Sequence, residues 1–229
     1  MTKKTPVLLE VACFSLDAVK VVAGSDADRI EYCSDYVSGG VTPPLADFAK
    51  IRQITEKPVY VMIRPRDGDF DYNNEEIKMM HALIAEFKAA GADGFVFGIT
   101  NPDNELNMEE NRRLISRANP LPCTLHRAFD KVPDKHKSLE QAIDCGFSKI
   151  LTSGGEGNAV DNIGVLARLV TKASGRINII PGGGLRSYNI DIIINRSGAG
   201  EYHSACITNT GTLLPDPREI NIIKAKLRS

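Results

Sequence analysis

Eight short apolar runs alternate with eight stretches of helical periodicity from one end of the chain to the other. Strand, helix and strand in succession mark a parallel crossover, and eight such units in a row leave few architectures open. The third run is the sharpest. Val59-Tyr60-Val61-Met62-Ile63 follows Pro58 and is apolar without alternation, as a strand covered on both faces requires. The character changes at once in Arg64-Pro65-Arg66-Asp67-Gly68-Asp69, where Pro65 has no amide hydrogen for a ladder and ends the strand.

The remaining strands are expected over 7–13, 28–33, 93–98, 120–126, 149–152, 177–180 and 200–204. Helices are expected from a Ser15 cap to Ala23, and over 44–55, 75–90, 108–117, 137–145, 160–172, 189–196 and 216–227. Gly24, Gly91, Gly146 and Gly175 follow four of them, as helix ends favour. No linker or composition break divides the 229 residues. The expectation is one α/β domain over residues 1–229, a closed eight-stranded parallel (β/α)8 TIM barrel. A doubly wound open sheet is the competitor. Against it, no GxGxxG follows the first strand, and the Gly-rich turns come after strands six and seven.

In such a barrel, function sits where strands end and βα loops begin. Polar residues gather there: Glu10, Glu31, Arg64, Arg66, His126 with Arg127, Thr152 with Ser153, and Glu201 with His203. Arg64 and Arg66 share a parity and would form an anion clamp at the mouth, or bond to Asp67, Asp69 and backbone carbonyls. A carboxylate in an apolar strand needs a partner, and the arginines of strand three are the expected partners of Glu10 and Glu31. Two readings stay open. The polar groups are an ion-pair layer filling the barrel, or Glu10, Glu31 and His126 do acid–base work. The turns Thr152-Ser153-Gly154-Gly155 and Pro181-Gly182-Gly183-Gly184 would offer backbone amides to a phosphate or another small anion. An anion site would then draw on Arg64, Arg66, Arg127, Ser153, Gly154, Gly182, Gly183 and His203. Tight corners alone would use the same glycines.

The charge balance narrows the partners. Lys and Arg number 28 against 29 Asp and Glu, for a net charge of −1, which argues against a nucleic-acid or anionic-membrane surface. No apolar stretch approaches the ~20 residues that span a bilayer. The MTKKTPVLLE start lacks a signal-peptide core, so a cytoplasmic location is expected. Five scattered cysteines without CxxC spacing fit free thiols in a reducing compartment. Cys13 and Cys33 close neighbouring strands, and two such thiolates suit a soft ion such as Cu(I). Glu10 and Cys13 differ by three, however, and face opposite sides of a regular strand. Both can line the mouth only if the strand has already turned by Cys13; otherwise the cysteines are small core hydrophobes. Cys206, just past strand eight, is a possible third ligand. Cys123 reads as strand core and Cys145 as helix packing.

The motifs LLEVACFSLDA, ADRIEYC followed by GGVTPP, MIRPRDGDF, TLHRAFD, ILTSGG, IIPGGGL and EYHSA occur in that order between residues 7 and 206. Together they closely resemble the CutC family, named for copper homeostasis. The resemblance implies a cytoplasmic TIM barrel assembled as a homodimer or homotetramer, with Cu(I) bound by the cysteines at Cys13 and Cys33. It implies no enzymatic reaction. Relatives carry a longer segment between strand eight and the last helix, where this chain has only residues 207–215, so a lid or oligomer contact built there is in doubt. Two accounts follow: a copper-handling protein, or a barrel enzyme acting on a small phosphorylated or carboxylated metabolite.

Overall fold

The structure, a computed structural model, describes residues 7–229. β1 (Leu8–Cys13) lies between β2 (Arg29–Tyr32) and β8 (Glu201–Ser204), parallel to both. The sheet continues in sequence order through β3 (Val59–Met62), β4 (Gly94–Phe97), β5 (Cys123–Leu125), β6 (Lys149–Thr152) and β7 (Asn178–Pro181), every pairing parallel. The crossovers are α1 (Leu16–Ala23), α2 (Leu45–Ile54), α3 (Asn74–Ala89), α4 (Met108–Ala118), α5 (Lys135–Cys145), α6 (Ile163–Ala173) and α7 (Ile190–Ser197), with α8 (Pro217–Arg228) after β8. The expected TIM barrel is present in one respect short of full closure. The hydrogen-bonded order runs from β7 round to β8 with no ladder between those two strands. Side chains carry that seam, where Asn178 Nδ2 donates to Glu201 Oε1 at 2.7 Å.

Local signals set the element ends. The Ser15 hydroxyl accepts from the Ala18 amide, and Asn73 with Glu76 forms a reciprocal capping box on α3. Gly146 takes a left-handed conformation after α5. Strand five is shorter than expected because Pro120 and Pro122 cannot donate to a ladder. After it comes an unexpected 3-10 turn, Arg127–Asp130, started by His126.

Strand parity sorts the core into two compartments. Leu9, Val11, Cys13, Ile30, Tyr32, Val61, Phe95, Phe97, Leu125 and Tyr202 pack outward against Val19, Phe48, Met80, Leu139 and Ile223 of the helices. Burying that layer, at ~25 cal/mol per Å2 of apolar surface, is the main term holding helices to barrel. The opposite parity faces the barrel axis, where Glu10, Arg29, Glu31, Arg64, Lys149, Glu201 and His203 are all buried. Charge thus fills the interior of the barrel and apolar packing surrounds it.

Candidate active site at the barrel mouth

Low in the barrel the charges are paired. Arg29 bridges two carboxylates, Nε to Glu10 Oε2 at 2.5 Å and Nη2 to Glu201 Oε2 at 2.6 Å, and it lies over the Tyr60 ring. Lys149 Nζ meets Glu201 Oε1 at 2.6 Å. His203 Nδ1 is 2.8 Å from the other Glu10 oxygen. Arg29 is therefore the carboxylate partner expected of the strand-three arginines. Burial pushes the Glu10 carboxyl up, but Arg29 and His203 outweigh it and hold the group at about 2.

Two residues further along β2, toward the mouth, pairing fails. His203 Nε2 stands 3.7 Å from Glu31 Oε2, and Glu31 Oε1 is buried with no hydrogen-bond partner. Burial lifts Glu31 to about 7, with the His203 charge opposing the lift. Burial likewise lowers His203, but Glu31 and Glu10 overcome it and its pKa is raised. A carboxyl lifted to about 7 thus faces an imidazole raised above its ordinary value, an arrangement acid–base chemistry uses.

Glu31 and His203 form part of the wall of a cavity of about 530 Å3, which also includes Arg64, Phe70, His126, Arg127, Gly183 and Arg186. His126 is 3% exposed. Its Nδ1 accepts from the Ala128 amide at 3.2 Å, and its Nε2 has no partner. Gly98 makes the room, since a Cβ there would come within 3.0 Å of the imidazole. Burial, reinforced by the Arg64 guanidinium, lowers the His126 pKa to about 3, so the ring is neutral at pH 7. Phe70 contacts both, 4.9 Å from the Arg64 guanidinium carbon and 4.7 Å from the His126 imidazole centroid.

The expected anion ligands divide. Arg127 borders the cavity, held by Asp130 at 2.7 Å and Ser153 Oγ at 2.9 Å; Ser153 supports the guanidinium from behind. Gly183 is left-handed, and a Cβ on it would lie 3.4 Å from Arg127 Cζ. The Gly183 and Gly184 amides donate to no acceptor among the described residues. Gly154 and Gly182 spend their amides internally, on Thr152 Oγ1 and Thr152 O. Arg64 borders the cavity, but its terminal nitrogens donate to the carbonyls of Ser38, Gly40 and Gly68. Arg66 is not at the cavity; it pairs with Asp69 and Glu76 near the start of α3. The two arginines share a parity but form no clamp, because the chain bends at Pro65.

The cysteines divide too. Cys13 packs in the outer compartment with Cys206, whereas Cys33 packs inside with Tyr60, Met62 and Val96. β1 is still regular at Cys13, so the parity objection holds. Burial raises both thiols well above the ordinary range, which disfavours the thiolate that a metal needs. The two side chains belong to different compartments of the core, although the Cys33 sulfur lies 3.6 Å from the Cys13 carbonyl. Cys123 and Cys145 are buried in the outer core.

Arg29, Asp130, Lys149, Asn178 and Arg186 were not singled out from sequence. Arg29 was within reach, since it shares the parity of Glu31 on one strand. The others depend on which strand ends meet across the barrel.

A CutC family profile matches residues 7–208. The chain belongs to the CutC family. It is 41% identical over 196 residues to the copper homeostasis protein cutC homolog of Homo sapiens, covering 86% of this chain and 72% of that protein. A CutC family protein of Sinorhizobium medicae is 39% identical over 89% of this chain and 82% of its own length. Among solved structures, a CutC copper homeostasis protein from Streptococcus agalactiae superposes with TM-score 0.83 at 30% identity, covering 87% of this chain and 98% of that one. Phosphoribosyl anthranilate isomerase from Thermococcus kodakaraensis shares the barrel (TM-score 0.65, 15% identity, 97% and 99% covered), a likeness of fold alone. Among the described residues no helix is long and apolar enough to cross a membrane.

Proposed function

We propose that this CutC family member serves copper homeostasis, the role its relatives' names carry, through a barrel mouth that binds a small anionic metabolite beside an acid–base pair. The observation that carries the reading is the Glu31 oxygen and the His126 nitrogen, both buried and both without partners, at one cavity with Arg127 and the open Gly183–Gly184 turn. A buried polar atom without a partner costs ~1–3 kcal/mol, and a ligand that satisfies both atoms recovers that cost. The anion is held by Arg127 and the glycine amides, and Glu31 with His203 moves the proton. Inorganic phosphate should raise the melting temperature of the wild-type protein, and Arg127→Ala should abolish most of the rise. A rise that survives Arg127→Ala counts against the site.

A second reading takes copper itself as the cargo, bound as Cu(I) at Cys13 and Cys33. In its favour, Cys33 packs inside the barrel with Met62, placing a thiol and a thioether together, both soft donors suited to Cu(I). Cys13 would join only if the end of β1 rearranged. Cu(I) titration against a competing chelator separates the cases. Stoichiometry unchanged in Cys13→Ser plus Cys33→Ser removes this reading, whereas loss in Cys33→Ser alone, with Cys13→Ser unaffected, narrows it to the inner thiol. A cytoplasmic protein would meet copper in this reduced form.

A further inference from the structure

The His126 hydrogen bond fixes which of its nitrogens carries the proton. The Ala128 amide is a donor, so Nδ1, which receives it at 3.2 Å, must be the bare nitrogen. The ring proton is therefore on Nε2, the nitrogen without a protein partner. The Arg64 guanidinium, which packs on the neighbouring Phe70 ring, opposes a second proton on the imidazole. His126 thus presents a neutral N–H donor to the cavity, with no lone pair for use as a base. Glu31 is complementary to it. Its Oε1 is a bare acceptor, buried and unpaired. The Ser204 hydroxyl on the same wall is occupied as a donor to Leu185 O at 2.8 Å. The pair is one base and one neutral electrophile, which suits removal of a proton next to a carbonyl.

We propose that the mouth enolises a phosphorylated hydroxycarbonyl compound, with Glu31 taking the carbon-bound proton, His126 Nε2–H holding the carbonyl oxygen, and Arg127 with the Gly183 and Gly184 amides holding the phosphate. This rests on the anion-binding reading above and adds the substrate class and the role of each group. The C–H bond beside the carbonyl breaks and its proton passes to Glu31 Oε1. The electron pair left on carbon becomes the C=C bond, and the carbonyl π pair moves onto oxygen, where the His126 hydrogen bond stabilises it. Return of a proton from Glu31 to carbon completes the cycle, and no oxidant or second substrate is consumed. Gly184 is required at the phosphate end, since its φ is +68° and a Cβ would lie 2.2 Å from Asn158 Oδ1.

The test is deuterium wash-in. The protein is incubated in D2O with dihydroxyacetone phosphate and, separately, with ribose 5-phosphate, and proton NMR follows the carbon-bound hydrogens beside the carbonyl. At least one probe should exchange faster than in protein-free buffer, with the protein-dependent rate falling at least ~100-fold in Glu31→Gln. No exchange with either probe, or exchange equal in Glu31→Gln, overturns the proposal. If phosphate still stabilises the protein through Arg127 in that case, the anion site stands and only the enolisation falls. Nitrogen-15 NMR of the wild-type imidazole is independent of whether a variant folds. A protonated Nε2 with bare Nδ1 at pH 7 is expected, and a bare Nε2 or an imidazolium overturns the assigned role of His126.

Discussion

Arg29 and Glu31 sit two residues apart on β2, and both point into the barrel. Arg29 donates to Glu10 and Glu201 at 2.5 and 2.6 Å, and with Lys149 and Asn178 it completes a cluster in which each charge has an opposite neighbour. Glu31 has His203 at 3.7 Å and one oxygen with nothing. Burial is nearly the same in the two places, so depth does not separate them; satisfaction does. The lower cluster closes the barrel, linking β1, β2, β6, β7 and β8 where the backbone ladder is missing between the last two. The upper cluster leaves its polar atoms available to a ligand. The ion-pair layer weighed in the sequence fills the lower barrel, and the polar atoms left without partners lie above it.

The largest effect should come from breaking the lower cluster. Arg29→Met leaves Glu10 and Glu201 short of a counter-charge in a dry interior and should cost ~3–5 kcal/mol in urea denaturation. A loss under ~1 kcal/mol would mean the cluster is solvated, and the contrast with the mouth would fail.

Next in size is a pair of pH dependences of opposite sense. Glu31 is raised from 4.5 to about 7, so its contribution to stability is present below pH 4.5 and is lost as the pH rises through 7. Glu31→Gln should therefore gain on the wild type over that interval, by up to ~3 kcal/mol. Glu10 is held at about 2, so its contribution is present above pH 4.5 and is lost as the pH falls toward 2. Glu10→Gln should lose most to the wild type above pH 4.5 and converge on it in acid. Denaturation of the three proteins between pH 3 and 8 reads both slopes, and slopes of the same sign would erase the distinction between the clusters.

The smallest effect sharpens the comparison from outside the barrel. Arg66 pairs with Asp69 and Glu76 at a partly exposed site, so Arg66→Ala should cost less than ~1 kcal/mol and leave stabilisation by phosphate unchanged. Loss of that stabilisation would return Arg66 to the site.

Much of this was legible beforehand. The unbroken apolar run at Val59–Met62, the Ser15 cap and the glycine after α5 are local signals, and the elements follow them. Glu31, His126, Arg127, Gly183 and His203 reach one cavity because each sits at or just beyond a strand end, which strand parity and the barrel rule locate together. Arg66 misled because parity stops counting once Pro65 bends the chain. His126 was grouped with Glu10 and Glu31 for acid–base work without a role of its own, because its residue type says nothing of tautomer; the Ala128 amide decides that, and it exists only once the 3-10 turn has formed.

The amino-acid sequence by itself determined the eight-unit alternation, the family and the parity that sets Glu10 and Cys13 on opposite faces of one strand, because periodicity and strand alternation are properties of neighbours along the chain. Only the tertiary structure decided which buried charges are satisfied and which are left open. That depends on distances between strands as far apart in sequence as Arg29 and Glu201, and the barrel sets those distances when its seam comes together.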